Sequence, residues 1–194
     1  MINIKYDKTE LPSQSIGLLS SLKGLHVINV YRLFDWDISN YMNTFGVKES
    51  GLFSSGNGPI LLHMENDIIV SIISVNKYIS VVLQKENSLE ETIGKEGKYS
   101  ECKVISNESE KYTNGEWKTI TGMVIKSLNI IKIKNIDSSG RPFPNERGIE
   151  IIFEEGKRMF IAYKLCENIE SNLSISSECI FFDDIKNHTD IISV

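Results

Sequence analysis

Histidine and cysteine, the side chains that most often bind metals or act as nucleophiles, are few and scattered in this sequence. Its three histidines stand far apart, and no HxH or HExxH spacing places two imidazoles on one metal. The cysteines form neither a CxxC pair nor a regular disulfide framework, and there is no GxSxG nucleophile turn. These thiols are Cys102, Cys166 and Cys179. We therefore expect no cofactor, no metal site and no catalytic residue, so that the protein is not an enzyme.

Two stretches have part of the spacing of a ligand-binding loop. Gly51–Pro59, with the sequence GLFSSGNGP, begins like a phosphate-binding loop, but Asn57 stands where that loop has lysine and a strand pattern follows. Asp137 begins a stretch similar to a calcium loop, but Gly148 stands at the twelfth position, which needs glutamate. The sequence thus predicts a tight turn in the first stretch and no ion site in the second.

Acidic side chains remain as candidates for a functional surface. The formal net charge of −5 disfavours nucleic acid binding, which needs clustered lysine and arginine, and it suits a basic protein partner. The acids that we expect at a partner-binding surface are Glu90, Glu91, Asp183 and Asp184. Solubility alone also explains an acidic balance, so this assignment is a hypothesis.

The elements that must position these residues are mainly β-strands. The chain has a single alanine and abundant isoleucine, valine and aromatic residues, a balance that favours strands over helices. Short apolar segments bounded by Gly, Asn, Asp or Ser predict the strands. They are Leu25–Leu33, Ile60–Met64, Ile68–Ile73, Tyr78–Gln84, Met123–Ile133, Ile149–Phe153, Arg158–Tyr163 and Glu178–Phe182. This spacing predicts a mainly β fold, either a sandwich or a partly open barrel.

One or two short helices interrupt the strand pattern. Apolar residues recur at i, i+3, i+4 and i+7 from Ile38, after a possible cap at Asp37, and Gly46 supplies the stop. Ser88 and Glu91 have capping-box spacing, which predicts a further turn or two of helix.

Two segments of the chain align without a gap and predict two equivalent hairpins. Pro59–Ile72 and Gly148–Ile161 share the same alternation of apolar residues on either side of two-residue turns at Asn66–Asp67 and Glu155–Gly156. Because alternation fixes which face each residue occupies, the same positions should point inward in both hairpins. They are Ile60, Leu62, Met64, Val70, Ile72, Ile149, Ile151, Phe153, Met159 and Ile161.

A second, weaker match precedes each hairpin. KGLHVINVYRL from Lys23 aligns with TGMVIKSLNII from Thr121, with the helix after Asp37 as an insertion in the first copy. We therefore predict a single domain over residues 1–194, with related strand-plus-hairpin units at 20–85 and 118–184 and a polar connector at 86–117. The connector should lie on the surface and carry at most an edge strand. Chance alternation in an isoleucine-rich chain is the alternative.

Ser54–Ser74, with the sequence SSGNGPILLHMENDIIVSIIS, resembles a turn-and-hairpin pattern of bacterial immunity-type proteins encoded beside polymorphic toxins. The resemblance covers about a tenth of the chain and transfers no functional residues. It implies a non-catalytic protein that binds a cognate toxin domain and neutralises it.

The expected function is accordingly that of a protein-binding domain. Tryptophan and tyrosine are good interface anchors but fill cores equally well. The candidate aromatic anchors are Trp36, Tyr41, Tyr112, Trp117 and Phe143. The alternative functions are a scaffold or a small-ligand-binding β domain.

The sequence also bears on location. No apolar run approaches the length that crosses a bilayer, and the first twenty residues do not have the pattern of a secretory signal. We expect a cytoplasmic protein without a membrane partner. The oligomeric state is left open.

Overall fold

A computed structural model of the protein describes residues 10–56, 58–75, 80–133, 145–163, 173–177 and 189–194. Two five-stranded antiparallel sheets dominate it and do not close into a barrel. Sheet 1 consists of β1 (Val27–Phe34), β2 (Ile60–Met64), β3 (Ile69–Val75), β4 (Ser80–Glu86) and β5 (Lys103–Ser106), in the spatial order β4-β3-β2-β1-β5. Sheet 2 consists of β6 (Ile125–Ile133), β7 (Glu146–Phe153), β8 (Arg158–Ala162), β9 (Ser174–Ser176) and β10 (Thr189–Ser193), in the order β10-β6-β7-β8-β9.

Short helices connect these strands. The α-helices are α1 (Ile16–Ser21), α2 (Ile38–Phe45), α3 (Leu52–Ser55), α4 (Leu89–Ile93) and α5 (Gly115–Lys118), and 3-10 turns cover Pro12–Gln14, Glu49–Gly51 and Glu65–Asp67. Both predicted helices are confirmed as α2 and α4. No helix within the described ranges is long and apolar enough to span a membrane.

The mainly β prediction is confirmed, and so are seven of the eight predicted strands. The eighth, Glu178–Phe182, lies outside the described residues. The sequence patterns did not predict β9 and β10. These strands pair with β8 and β6 and complete sheet 2 at its two edges.

Both predicted hairpins form, and they have the same register. Leu62 lies opposite Val70 in the first, and Ile151 lies opposite Met159 at the aligned position of the second. The predicted two-residue turns are wrong by one residue. The Met64 N–H donates to the Ile68 carbonyl, so the loop consists of residues 65–67, and the second loop is likewise residues 154–156. Both loops end with a residue whose backbone has the left-handed conformation.

The first strand of each unit also has a counterpart in the other. A bulge follows Val27 in β1 and Ile125 in β6. A glycine before each strand donates an equivalent backbone hydrogen bond to the first part of the other strand, from the Gly24 N–H to the Ile125 carbonyl at 2.8 Å and from the Gly122 N–H to the Val27 carbonyl at 2.7 Å. Both glycines have positive φ, at 78° and 83°. The two halves are thus built alike, and their origin from one repeated unit stays a prediction.

The two sheets share one core. All ten residues that alternation placed inward are buried, and they belong to a single apolar cluster with side chains from both sheets. Leu62 and Val70 of sheet 1 and Ile151 and Met159 of sheet 2 are members of it. The two strand-and-hairpin units therefore stabilise each other through common contacts.

The connector is more than a surface link, which corrects the sequence-based expectation. Its Tyr99 is buried against Leu33 and Leu61, on the face of sheet 1 that points away from the shared core. Trp117, at its end, is buried in the shared core itself. Polar composition hid this role because a few large side chains supply the packing while the residues between them stay solvated. The expected edge strand is present as β5.

Candidate functional site

The predicted acids Glu90 and Glu91 lie exposed on α4. The helix begins where the Ser88 hydroxyl accepts a hydrogen bond from the Glu91 N–H at 3.1 Å, as its capping-box spacing predicted. The two glutamates, with Lys95 and Glu96, line an open depression of about 420 Å³. Three carboxylates and one ammonium thus face solvent together.

Hydrogen bonds hold the acidic segment together and join it to sheet 1. The N–H groups of Lys98 and Tyr99 each donate at 2.8 Å to the carbonyls of Glu91 and Thr92. The Lys98 ammonium donates at 3.2 Å to Glu86, which is a buried residue of β4. Anchored in this way, α4 presents its glutamates in a defined arrangement.

Most of the net charge lies on this segment. Residues 86–117 contain eight glutamates and four lysines, a net charge of −4 out of −5 for the whole chain. Ile93, Tyr99, Cys102 and Val104 of this segment pack on the outer face of sheet 1, and the part of the chain that contains them carries Glu90, Glu91, Glu96 and Glu101. We call the exposed carboxylates of residues 86–117 the acidic face. The other two predicted acids, Asp183 and Asp184, lie outside the described residues.

A half-exposed tryptophan stands between β1 and α2. Trp36 is 47% exposed, and its ring contacts Tyr41 edge-on at 6.3 Å and Phe45 at 6.0 Å between ring centroids. Phe34 supports the group by an edge-on contact at 5.0 Å to Tyr41. We call these four rings the aromatic shelf.

Two carboxylates are next to Trp36 in the chain. Asp35 and Asp37 flank Trp36 in the chain and are exposed. Burial raises the pKa of the Cys102 thiol to about 11, and the nearby charges of Asp35 and Glu101 add to the shift. The thiol therefore stays protonated at neutral pH. The register of β1 and β5, which ends with Phe34 opposite Lys103, places Cys102 and Glu101 at the same end of sheet 1 as Asp35.

A buried arginine holds the loop behind the shelf. Arg32 is fully buried, and its guanidinium donates to five backbone carbonyls. Four of these bonds measure 2.9–3.0 Å and the fifth 3.4 Å, and the acceptors are Phe53, Ser54, Gly56, Gly58 and Leu173. Burial lowers the pKa of Arg32 to about 9, which leaves it charged at neutral pH. The Tyr41 hydroxyl donates to the Ser55 carbonyl at 2.6 Å and ties the shelf to the same loop.

The glycines of Gly51–Pro59 serve this packing. A Cβ at Gly56 would lie 2.4 Å from the Phe34 ring, and one at Gly58 would lie 1.6 Å from the Leu33 carbonyl oxygen. The glycine spacing that resembles a phosphate loop is therefore required by the close approach of the loop to β1.

The other sequence candidates are dispersed. Of the predicted aromatic anchors, Trp117 and Tyr41 are buried, Tyr112 is half-buried and Phe143 lies outside the described residues. Among the residues that the structure describes, no three histidine, cysteine, aspartate or glutamate side chains group as a metal site. The sequence patterns did not point to Arg32. A signal was present, since Arg32 is a charged residue at an inward position of an apolar strand.

Comparisons with protein-family models, with curated protein sequences and with solved structures found no match to this chain. The functional argument therefore depends on the chain's own geometry and charge.

Proposed function

We propose that the protein binds a basic protein partner through its acidic face, as a non-catalytic domain. The observation that supports this best is the surplus of negative charge on residues 86–117, held against sheet 1 by Tyr99 and by the Lys98–Glu86 ion pair. A fixed cluster of like charges raises the rate at which an oppositely charged partner docks. Because the backbone that carries these carboxylates is anchored by hydrogen bonds, little backbone freedom is lost on binding, which favours the complex.

The specific form of the proposal is an immunity protein that acts in the cytoplasm on a cognate bacterial toxin. The resemblance of Ser54–Ser74 to the hairpin pattern of immunity-type proteins supports it. Such a protein needs a surface that covers its target and no chemistry of its own. The acidic face, outside the shared core, supplies a surface of this kind.

Co-expression with the product of the neighbouring gene tests the proposal. Cells that produce this gene product alone should die, and cells that also produce the full chain should grow. With purified proteins, the double reversal E90K/E91K should slow association about three- to tenfold at low salt and leave dissociation nearly unchanged.

The chain offers a matched control for this reversal. Glu154 and Glu155 are adjacent exposed acids in the second hairpin loop, so E154K/E155K makes the same change of charge on sheet 2. We expect it to slow association much less. Equal effects of the two reversals would contradict a role for the acidic face, and failure to bind or to protect would contradict the immunity function.

A further inference from the structure

We propose that the aromatic shelf is an arginine-binding site, where a guanidinium of the partner stacks on Trp36 and pairs with the carboxylates of Asp35 and Glu101. This inference rests on the proposed function, because it names the side chain through which a basic partner is anchored. Arginine suits the site better than lysine, because its planar group both stacks on an aromatic ring and pairs with carboxylates.

The first support is the way Trp36 is presented. About half of the side chain is exposed while Tyr41 and Phe45 contact the rest, so the ring is held and still open to solvent. Tryptophan is the aromatic residue that attracts cations most strongly and is enriched among residues that dominate binding energy. A shelf that is already ordered favours binding because the free protein has less freedom to lose.

The second support is unneutralised charge beside the ring. Within the described part of the chain, Asp35 and Glu101 form no ion pair. Lys103 donates to the Tyr112 hydroxyl at 3.3 Å and Lys111 pairs with Glu49 at 3.0 Å, so neither lysine forms an ion pair with these two carboxylates. An incoming guanidinium would therefore meet carboxylates that are free to pair with it.

The third support is the length of the connection that carries the shelf. Between β1 and β2 the chain runs through residues 35–59, whereas the equivalent connection of sheet 2, between β6 and β7, is residues 134–145. In the first unit the extra residues include α2, with Tyr41 and Phe45. Long connections between paired strands often carry function. Arg32 holds this connection in place by donating hydrogen bonds to backbone carbonyls of the connection.

Nuclear magnetic resonance on the full chain tests the inference directly. The protein has two tryptophans, so a ¹⁵N-labelled sample gives two indole N–H signals. We would titrate it with the peptide Ac-Gly-Gly-Arg-Gly-Gly-NH₂ and with the same peptide carrying citrulline, which keeps the shape of arginine and removes its charge. The arginine peptide should shift the Trp36 signal at millimolar concentration, the citrulline peptide should not, and the buried Trp117 signal should stay in place.

Variants then separate the two components of the site. Because the variants at Trp36 lack its indole signal, their binding is followed by the backbone N–H signals of Asp35 and Asp37. W36A should weaken peptide binding on the order of 30-fold, the effect expected of a dominant anchor, and W36F should retain part of the binding and keep the shelf packed. D35N/E101Q should weaken binding several-fold and reduce its dependence on salt. The control I28A removes an apolar side chain of nearly equal exposure, 45%, and should change nothing. An unmoved Trp36 signal, equal shifts with citrulline, or full binding by W36A would overturn the inference.

These outcomes are distinguishable from failure of the proposed function. The peptide titration needs no toxin, so a cognate protein that binds W36A as tightly as the wild type overturns only the arginine site. Conversely, the Trp36 signal could respond to the arginine peptide although the chain protects no cell from the toxin. That result would overturn only the immunity function.

Discussion

Replacing Arg32 with methionine tests how the loop behind the aromatic shelf is held. Methionine keeps an unbranched side chain in the same space and removes every donor. Arg32 lies opposite Ile60 in sheet 1, and the equivalent residue in sheet 2 is Ile130, which lies opposite Ile149. An apolar side chain therefore fits at the equivalent position of the second unit. The substitution therefore isolates the hydrogen bonds from the packing.

The expected loss of stability follows from the hydrogen bonds that the guanidinium donates to backbone carbonyls. Four contacts of 2.9–3.0 Å disappear, which amount to three full hydrogen bonds because three of the carbonyls share the two N–H groups of Nη1. Hydrogen bonds to charged groups contribute about 1.5–3 kcal/mol each. Two effects offset part of this loss, because the charge no longer has to be desolvated and water can reach some of the carbonyls. We expect Arg32→Met to lower the free energy of unfolding by about 2–4 kcal/mol.

Urea denaturation measures this loss, and hydrogen exchange locates it. Exchange should accelerate at residues 53–56, and the Trp36 indole signal should broaden, since the Tyr41 hydroxyl bonds to the Ser55 carbonyl. The control is Lys126→Met, which makes the same removal of charge at an exposed position of β6 and should change the stability by less than about 0.5 kcal/mol. A loss below about 1 kcal/mol for Arg32→Met, or unchanged exchange at the loop, would refute the reasoning.

Three further predictions concern stability and reactivity. Phe153→Ala should cost about 3–5 kcal/mol in urea denaturation because the ring is fully buried in the shared core, whereas the exposed Ile28→Ala should cost little, and similar losses would place Phe153 outside the core. Asp37→Ala should cost about 1 kcal/mol, because its carboxylate accepts the Asn40 N–H at 2.9 Å and caps α2, and an unchanged melting temperature would contradict the cap. With the other two thiols replaced by serine, Cys102 should alkylate about 100-fold more slowly at pH 8 than an ordinary thiol and accelerate as the pH approaches its raised pKa of about 11, while a plateau near pH 9 would contradict the shift.

The strands and the core could be predicted because they depend on local periodicity. Alternation around Leu62 and Ile151 fixed which side of each hairpin is buried, and β-branched residues marked most strands. The helix after Asp37 could be predicted for the same reason, since its cap, its apolar face and its stop at Gly46 lie within ten residues. The loop length of the hairpins was wrong by one residue because alternation does not fix where the last backbone pair forms.

The candidate site depends on contacts that no local pattern encodes. Arg32 bonds to Leu173, which is 141 residues away, and the shelf exists because α2 folds Tyr41 and Phe45 against Trp36. Composition identified the acidic residues of the connector but not that Tyr99 packs the part around α4 on the outer face of sheet 1. Long-range packing thus decides where the charge lies, and sequence spacing carries little information about it.

The association rate of the full chain with the protein encoded beside it, measured at increasing salt, tests the central proposal most directly. If the acidic face steers a basic partner, the rate constant of the wild type should fall steeply with ionic strength. That of E90K/E91K should be lower and less dependent on salt, with similar dissociation rates. Binding that is independent of salt, or a charge reversal that changes only dissociation, would contradict the account.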